Sequence, residues 1–387
     1  MIAPCPLPYP RGTPVRIYKM ACALADQGCD VHIVTYHLGD KSTLEEGHSS
    51  LKIHRIPAIP SYRKLSPGPS YQKLFILDFL LLLKLSNIIA KYEIDIIHAH
   101  HYESLLISLI FKTWNKHPIV YDAHTLLESE LHYYNLGLPA RPKRLLGRLF
   151  DSQLPKRADY IISVTDSIRD KLVEYGNVCQ GNISVVINGV EIEHFMRKND
   201  VDILDDSTKK LIYTGNLGEF QGIDHLLNIF AKIVQLRKDV RLLIVTDSSF
   251  KKYEALTTRL GIRAFIDIIE SDFTKLPVML HSSHIALNPR IECDGIPQKL
   301  LNYMAAGMPV VSFEGSAKIL KHNETGYVVE DKNYEEFARA VVYLLDNYHV
   351  AKKIGEKAQT MISQNFAWES KSREIMNIYE KVLKKSV

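Results

Sequence analysis

Lys299 stands in the first turn of a short helix, where the helix dipole is positive and a cation is disfavoured unless an anion joins it. The surrounding stretch, CDGIPQKLLNYMAAGMPVVSFEG (293–315), has clear helix ends. Pro297 suits the first helical position, Gly307 the left-handed residue past the end, and Pro309 stops continuation. On a helical wheel Leu300, Leu301, Met304 and Ala305 share one face, while Lys299, Asn302 and Ala306 share the other. The helix follows a strand-like run and a loop, so its free N–H groups suit a phosphate. Arg290 lies just before that loop, and Gly295 and Ile296 lie at its end. Asn302, one turn on, suits ribose hydroxyls, and Ala306 lets a ligand lie close. An ordinary surface lysine at a helix start is the alternative, and Arg290, Gly295 and Lys299 together weigh against it.

A second stretch, YPRGTPVR (9–16), has a similar logic. Thr13 reads as an N-cap, Pro14 as the first helical residue, and Gly12 permits close backbone approach to a ligand. Arg16 is again a cation in a first turn; a plain capped turn explains the same residues. His98, His100 and His101 crowd the end of one strand and His124 ends the next. A zinc site there lacks both an H-E-x-x-H pattern and a cysteine partner. Imidazoles bonding a polar substrate fit better, with core histidines satisfied by backbone as the other reading. The D-x-D at 200–202 sits in a linker-like stretch and reads as a solvated turn. Neither a GxGxxG, a Walker G-x-x-x-x-G-K-[ST] nor a G-x-S-x-G elbow occurs, so hydride transfer, ATP hydrolysis and serine hydrolysis have no signature.

The elements that must position these groups alternate regularly. Short Val- and Ile-rich runs at 29–36, 51–57, 94–100, 117–124, 159–165 and 183–189 are separated by helical patterns such as 14–28. After a polar, aperiodic stretch at 193–210 the alternation resumes at 211–217, 240–247, 264–269, 284–290 and 309–315. This reads as α/β, two doubly wound parallel sheets, with domains over 1–200 and 201–365. Ligands bind beyond the carboxyl ends of such strands. The loops PYPRGTP, HAHHYE, DAHT, TGNLGEFQG and NPRIECDGIP all follow strands and should open on one cleft. The first strand should be central, yet only Met1–Ala3 precede Pro4, which suggests a late start.

With 387 residues, 46% hydrophobic and 24% charged, the chain has an ordinary globular composition. A net charge of +4 gives no argument for nucleic acid. Five scattered cysteines without a CxxC pair argue against a disulfide framework and fit a reducing cytoplasm. The start lacks a signal-peptide core, and the apolar run 74–85 is interrupted by Asp78 and Lys84 and is too short to cross a bilayer. Residues 62–85 and the basic helix at 141–157 suit peripheral contact with a membrane surface, although burial of 62–85 between sheet and neighbour explains that helix equally well.

Taken together, PRGTPVR, DIIHAH, YDAHT, ADYIISVTDSIRDKL, VINGVEIEHF, YTGNLGEFQGID and NPRIECDGIPQKLLNYMAAGMPVV resemble the retaining GT-B glycosyltransferases of the GT4 type. The closing FAWESKSREIMNIYEKVL (366–383) resembles that family's last helix, which crosses back to the first domain, so 366–387 joins 1–200. The resemblance implies transfer of a sugar from a nucleotide diphosphate sugar to a glycan or lipid-linked acceptor in polysaccharide biosynthesis. It implies retention at the anomeric carbon, no metal and no other cofactor. The donor would sit on the second domain and the acceptor on the first. The expected location is the cytoplasm or the inner face of a membrane. His100, Asp294 and Lys299 would be catalytic. Gly12, Arg290, Gly295, Ile296, Asn302, Asn216 and Gln221 would hold the donor, and Arg11, Arg16 and His124 would face the acceptor. Such enzymes usually carry two glutamates where this chain has Asp294 and Asn302, and an arginine and lysine where it has Asn216 and Gln221. Loss of one charge-assisted phosphate contact costs about 1.5–3 kcal/mol. No carboxylate is placed as a nucleophile, which favours same-face displacement. A degenerate relative that binds nucleotide sugar without transfer, and a GT-B nucleotide-sugar epimerase, are the rival functions.

Overall fold

The structure, a computed structural model, describes residues 1–9, 12–39, 49–64, 72–131, 139–196, 207–293 and 295–386. These form two compact units, Met1–Gly189 with Trp368–Val387, and Val190–Ala367. The change of unit therefore falls at Gly189, ahead of the linker-like stretch, and the acidic 200–202 triplet lies outside the described residues.

In the first unit seven parallel strands run in the order β3-β2-β1-β4-β5-β6-β7: β1 (Ile2–Ala3), β2 (Val31–Thr35), β3 (Leu51–Arg55), β4 (Ile97–His100), β5 (Ile119–Ala123), β6 (Tyr160–Ser163) and β7 (Ile183–Val185). Strands β2, β4, β5 and β6 are buried throughout, as expected where both faces of a parallel sheet are covered. The central β1 is only two residues long, with Ile2 in register with Val34 on one side and Ala99 on the other. Strand order reverses between β1 and β4, so a crevice forms beyond their carboxyl ends. The Gly12–Asp26 helix and the Trp368–Ser386 helix pack together through Ile17, Met20, Leu24, Ile375, Ile378 and Val382. The returning chain is seated by Gly189: a Cβ there would meet the Trp368 ring at 2.5 Å.

The second unit has six parallel strands in the order β10-β9-β8-β11-β12-β13: β8 (Lys209–Thr214), β9 (Val240–Val245), β10 (Ile266–Ile269), β11 (Ile285–Asn288), β12 (Val310–Phe313) and β13 (Tyr327–Val329). Its reversal lies between β8 and β11. The edge strand β13 is three residues long, too short to stand out in the sequence. The strongly amphipathic Ile223–Leu236 helix buries Leu226, Leu227, Phe230 and Ile233 against this sheet. No helix among the described residues is long and apolar enough to cross a membrane.

Candidate active site

The loops after β8 and β11 meet at the reversal point of the second sheet. Gly222 is in the left-handed region, φ 73°, and a Cβ there would lie 2.5 Å from the Pro289 carbonyl oxygen, so only glycine lets the two loops touch. The helix expected after the β11 loop spans Gln298–Ala305, with Pro297 as its extended N-cap residue rather than its first helical one, and Gly307 left-handed at φ 69°. Tyr303 ties this helix to β8: its hydroxyl accepts from the Thr214 backbone N–H at 2.7 Å.

Lys299 projects from the first turn into this junction. Its Nζ donates to Gln221 Oε1 at 2.8 Å and stands 3.9 Å from the Tyr213 ring centre. Among the described residues no carboxylate pairs with it. Burial, then the nearby Arg290 charge, pulls its pKa well below the ordinary lysine value. Arg290 donates from Nε to the Glu292 carbonyl and lays its guanidinium 5.2 Å from the centre of the exposed Phe220 ring. Asn216 closes its own turn, with Oδ1 accepting from Gly218 N–H at 3.0 Å. Asn302 accepts from Gln298 at 3.4 Å. Gly295 and Ile296 are half-buried beside the helix start. Asp294 lies outside the described residues.

In the first unit Gly12 opens a helix, and a Cβ there would meet nothing within 4 Å, leaving room for a ligand against the backbone. Thr13 lies inside that helix instead of capping it, and its hydroxyl meets His101 Nε2 at 3.2 Å. His101, the first residue of the His101–Lys112 helix, holds φ 65°, a conformation non-glycine residues rarely adopt and one that clusters at functional sites. Arg11 lies outside the described residues.

His100 and the two described acceptor-side candidates share one buried cluster. Arg16, 2% exposed, contacts both oxygens of Asp122 at 3.1 and 3.2 Å and also donates to Asn188 Oδ1 and the Val186 carbonyl. His100 Nδ1 lies 3.2 Å from Asp122 Oδ2, and His124 Nε2 lies 3.5 Å from the same oxygen. Arg16 and His124 thus brace Asp122 inside the unit rather than presenting an open acceptor surface. His100 Nδ1 also lies 3.2 Å from His124 Nε2, and a proton on His100 Nδ1 is the tautomer that serves the carboxylate, which only accepts. That leaves the Nε2 lone pair, which has no partner among the described residues. Burial pushes the pKa values of His98, His100 and His124 down, keeping the rings neutral. Burial opposes charge on Asp122 too, but the Arg16 guanidinium holds that carboxyl well below the usual range. His98 Nδ1 meets the Tyr379 hydroxyl at 2.6 Å, linking the cluster to the returning helix.

His98, His100 and Asp122 bring ligand-type atoms within 4.8 Å of one another. Arg16 already engages both Asp122 oxygens, so a guanidinium supplies the positive charge a metal would bring. Sequence reading missed Asp122, although it stands next to last in β5, two residues before His124 and in register with His100, and it missed Tyr213 and Phe220. Their roles depend on partners far along the chain.

Residues 10–194 match the sequence model described as Glycosyltransferase Family 4, and residues 196–361 match that of Glycosyl transferases group 1. An uncharacterised glycosyltransferase of Methanocaldococcus jannaschii is 22% identical, over 92% of this chain and 91% of its own. Among solved structures, sucrose-phosphate synthase from Thermosynechococcus elongatus superposes with a TM-score of 0.78 at 17% identity, covering 97% of this chain and 94% of that one. HepE of Anabaena, solved with UDP-glucose, gives 0.74 at 16% identity, covering 98% of each chain.

Proposed function

The chain belongs to the group 1 glycosyltransferases with the GT-B architecture, and from that premise we propose that it transfers a sugar, with retention, from a nucleoside diphosphate sugar held by the second unit. The observation that carries this reading is Lys299: a desolvated cation at a helix N-terminus, at the sheet's reversal point, with neutral partners only. A diphosphate supplies the missing anion. Lys299 and Arg290 hold its oxygens, and Asn302 faces the ribose. The acceptor oxygen bonds to the anomeric carbon on the face from which the diphosphate departs. The carbon–phosphate oxygen bond breaks, and the acceptor proton passes to that leaving oxygen. Negative charge developing there is stabilised by donors already in place, usually the largest catalytic contribution. His100, neutral and with no partner for its Nε2 lone pair among the described residues, is the first unit's candidate for a hydroxyl of the transferred sugar, although its ring is 0% exposed. No metal or other cofactor is required, because the two cations and the helix end carry the leaving group.

Thermal melts with UDP, GDP, ADP and dTDP and their sugar conjugates test the donor site. UDP is the first probe because HepE holds UDP-glucose. A nucleotide at a hundredfold excess over Kd adds about 2.7 kcal/mol. The expected result is a raised Tm with one nucleotide, larger with one conjugate, and unchanged by EDTA. No rise with any of them overturns the donor site, and loss of activity in EDTA overturns the metal-independent route. A second reading, nucleotide-sugar binding without transfer, draws on Gln221 and Asn216. Their amide oxygens are engaged, one by Lys299 and the other in its own turn, so only their neutral NH2 groups face a phosphate where relatives carry cations. Donor binding with neither transfer nor slow hydrolysis would establish it.

The protein works at the cytoplasmic face of an anionic membrane. The Ala140–Gln153 helix exposes Leu145, Leu149 and Phe150, with exposed Arg141, Arg144 and Arg148 beside them. Its one acidic residue, Asp151, is buried, accepting from Tyr102 and from the Leu127 and Glu128 N–H groups. An apolar row with cations alone suits an interfacial helix. Cosedimentation should be strong with phosphatidylglycerol vesicles, weak with phosphatidylcholine vesicles, and lost in Arg144→Glu/Arg148→Glu. Equal binding to both vesicle types contradicts this placement.

A further inference from the structure

A second polar group stands at the reversal point of the first sheet, beyond the carboxyl ends of β1, β2 and β4. Lys73 and Glu103 form an ion pair there, with side chains 12% and 27% exposed. Glu103 lies in the first turn of the His101–Lys112 helix, two residues past the left-handed His101. Lys73 opens a π-helical turn, Lys73–Leu77, a distortion frequent at functional sites. That turn swings Leu74, Phe75 and Ile76 into solvent, and Phe79 and Leu83 continue the exposed apolar row along the Asp78–Lys91 helix. Phe75 is 68% exposed, and the helix's only acidic residue, Asp78, is buried against the Tyr36 hydroxyl. Lys84 and Lys91 are therefore the only charges this helix offers outward.

Burying an ion pair costs desolvation that its attraction does not reliably return, and removing one partner is expensive, so such a pair at a ligand-binding edge calls for a function. A carboxylate and an ammonium side by side suit vicinal sugar hydroxyls, one accepting the O–H proton and the other donating to the oxygen. The exposed apolar row begins at the very next residue, which sets a polar head site against a lipid-compatible shelf flanked by cations.

We propose that Lys73 and Glu103 form the acceptor head subsite, that the acceptor is a lipid-linked sugar, and that its chain runs along Leu74, Phe75 and Phe79. This rests on the glycosyltransferase reading and narrows its acceptor to an amphiphile. The probes are octyl and methyl β-glycosides of glucose, galactose, mannose and N-acetylglucosamine, below the micelle concentration, titrated by calorimetry into the full chain. At least one octyl glycoside should bind ten times or more tighter than its methyl counterpart. Phe75→Ser/Phe79→Ser, at exposed positions and so harmless to folding, should erase that advantage. Glu103→Gln should weaken octyl and methyl glycosides alike by about tenfold. Lys73→Gln/Glu103→Gln, which strands no charge, should do the same if the single variant misfolds. The Tm rise with UDP should be unchanged in all of them. Equal binding of octyl and methyl glycosides, no binding of any, or wild-type affinity in the Lys73 and Glu103 variants overturns the proposal. A wild-type protein whose Tm responds to none of the four nucleotides overturns the donor reading instead, and the two failures are thereby distinct.

Discussion

Lys299→Met is expected to abolish sugar transfer while leaving the fold intact. One charge-assisted phosphate contact contributes about 1.5–3 kcal/mol. A donor aimed at charge developing on a leaving group contributes about 100- to 1000-fold in kcat. Both losses fall on one side chain, so kcat/KM should drop by about three orders of magnitude. Stability moves the other way or not at all. In the free protein Lys299 is desolvated beside Arg290, and its partners are the neutral Gln221 and Tyr213. Methionine keeps the apolar stem and removes the repulsion, so the Tm without nucleotide should hold or rise, as at other sites where function opposes stability. The check is paired: melts with and without UDP or whichever nucleotide the wild type responds to, and turnover with its sugar conjugate. A variant that retains the nucleotide shift and full turnover would remove Lys299 from the site.

Asp122→Ala should be the most destabilising single change in the first unit. It strands a guanidinium that is 2% exposed and leaves the His100 Nδ1–H without its carboxylate. Removing one partner of a buried pair costs about 3–5 kcal/mol. At about 2–4 °C per kcal/mol for a unit of this size, Tm should fall by roughly 10 °C. Arg16→Met/Asp122→Leu, which removes both charges, should recover most of that loss. The same cluster contributes to the pH response, together with His54 and the Met1 ammonium, which burial lowers to about 4 and about 5, and against Asp78, which burial raises to about 7. In the folded state His98, His100 and His124 titrate below the ordinary histidine value of 6.5, and Asp122 titrates below the ordinary carboxylate value of 3.8. A depressed folded pKa means that the unfolded chain binds more protons at intermediate pH. The stabilisation is therefore complete above the unfolded value and is lost as pH falls. Each fully neutral histidine should contribute up to about 1.4 kcal/mol per pH unit to a fall in stability below about pH 6.5. His124→Asn should shallow that decline. A decline from pH 8 to 5 as steep in His124→Asn as in the wild type would show that His124 does not stay neutral in the fold.

What was readable in the sequence was local. Strands show themselves as short Val- and Ile-rich runs because a parallel sheet covered on both faces tolerates little else. The Gln298–Ala305 helix shows its ends because proline and glycine act on the residues beside them. Lys299 stood out because its oddity, a cation at a positive helix end, needs only its own helix to be seen. The strand–loop–helix order placed it at a ligand-binding edge before any contact was known.

The partners of the buried charges were decided by the tertiary structure. Gln221 meets Lys299 across 78 residues, Arg16 meets Asp122 across 106, and Tyr379 meets His98 across 281. Strand order decides these meetings. Inserting β1 between β2 and β4 brings the Gly12–Asp26 helix, the ends of β4 and β5 and the returning C-terminal helix to one place. Nothing in the dihedral preferences or periodicity of a segment records which distant segment will lie beside it. For that reason Arg16 and His124 read as acceptor-side groups, whereas packing has them bracing Asp122, and nothing in either segment pairs Lys73 with Glu103. Local chemistry named the candidate donor cation, and long-range packing decided which charges are braced inside the fold.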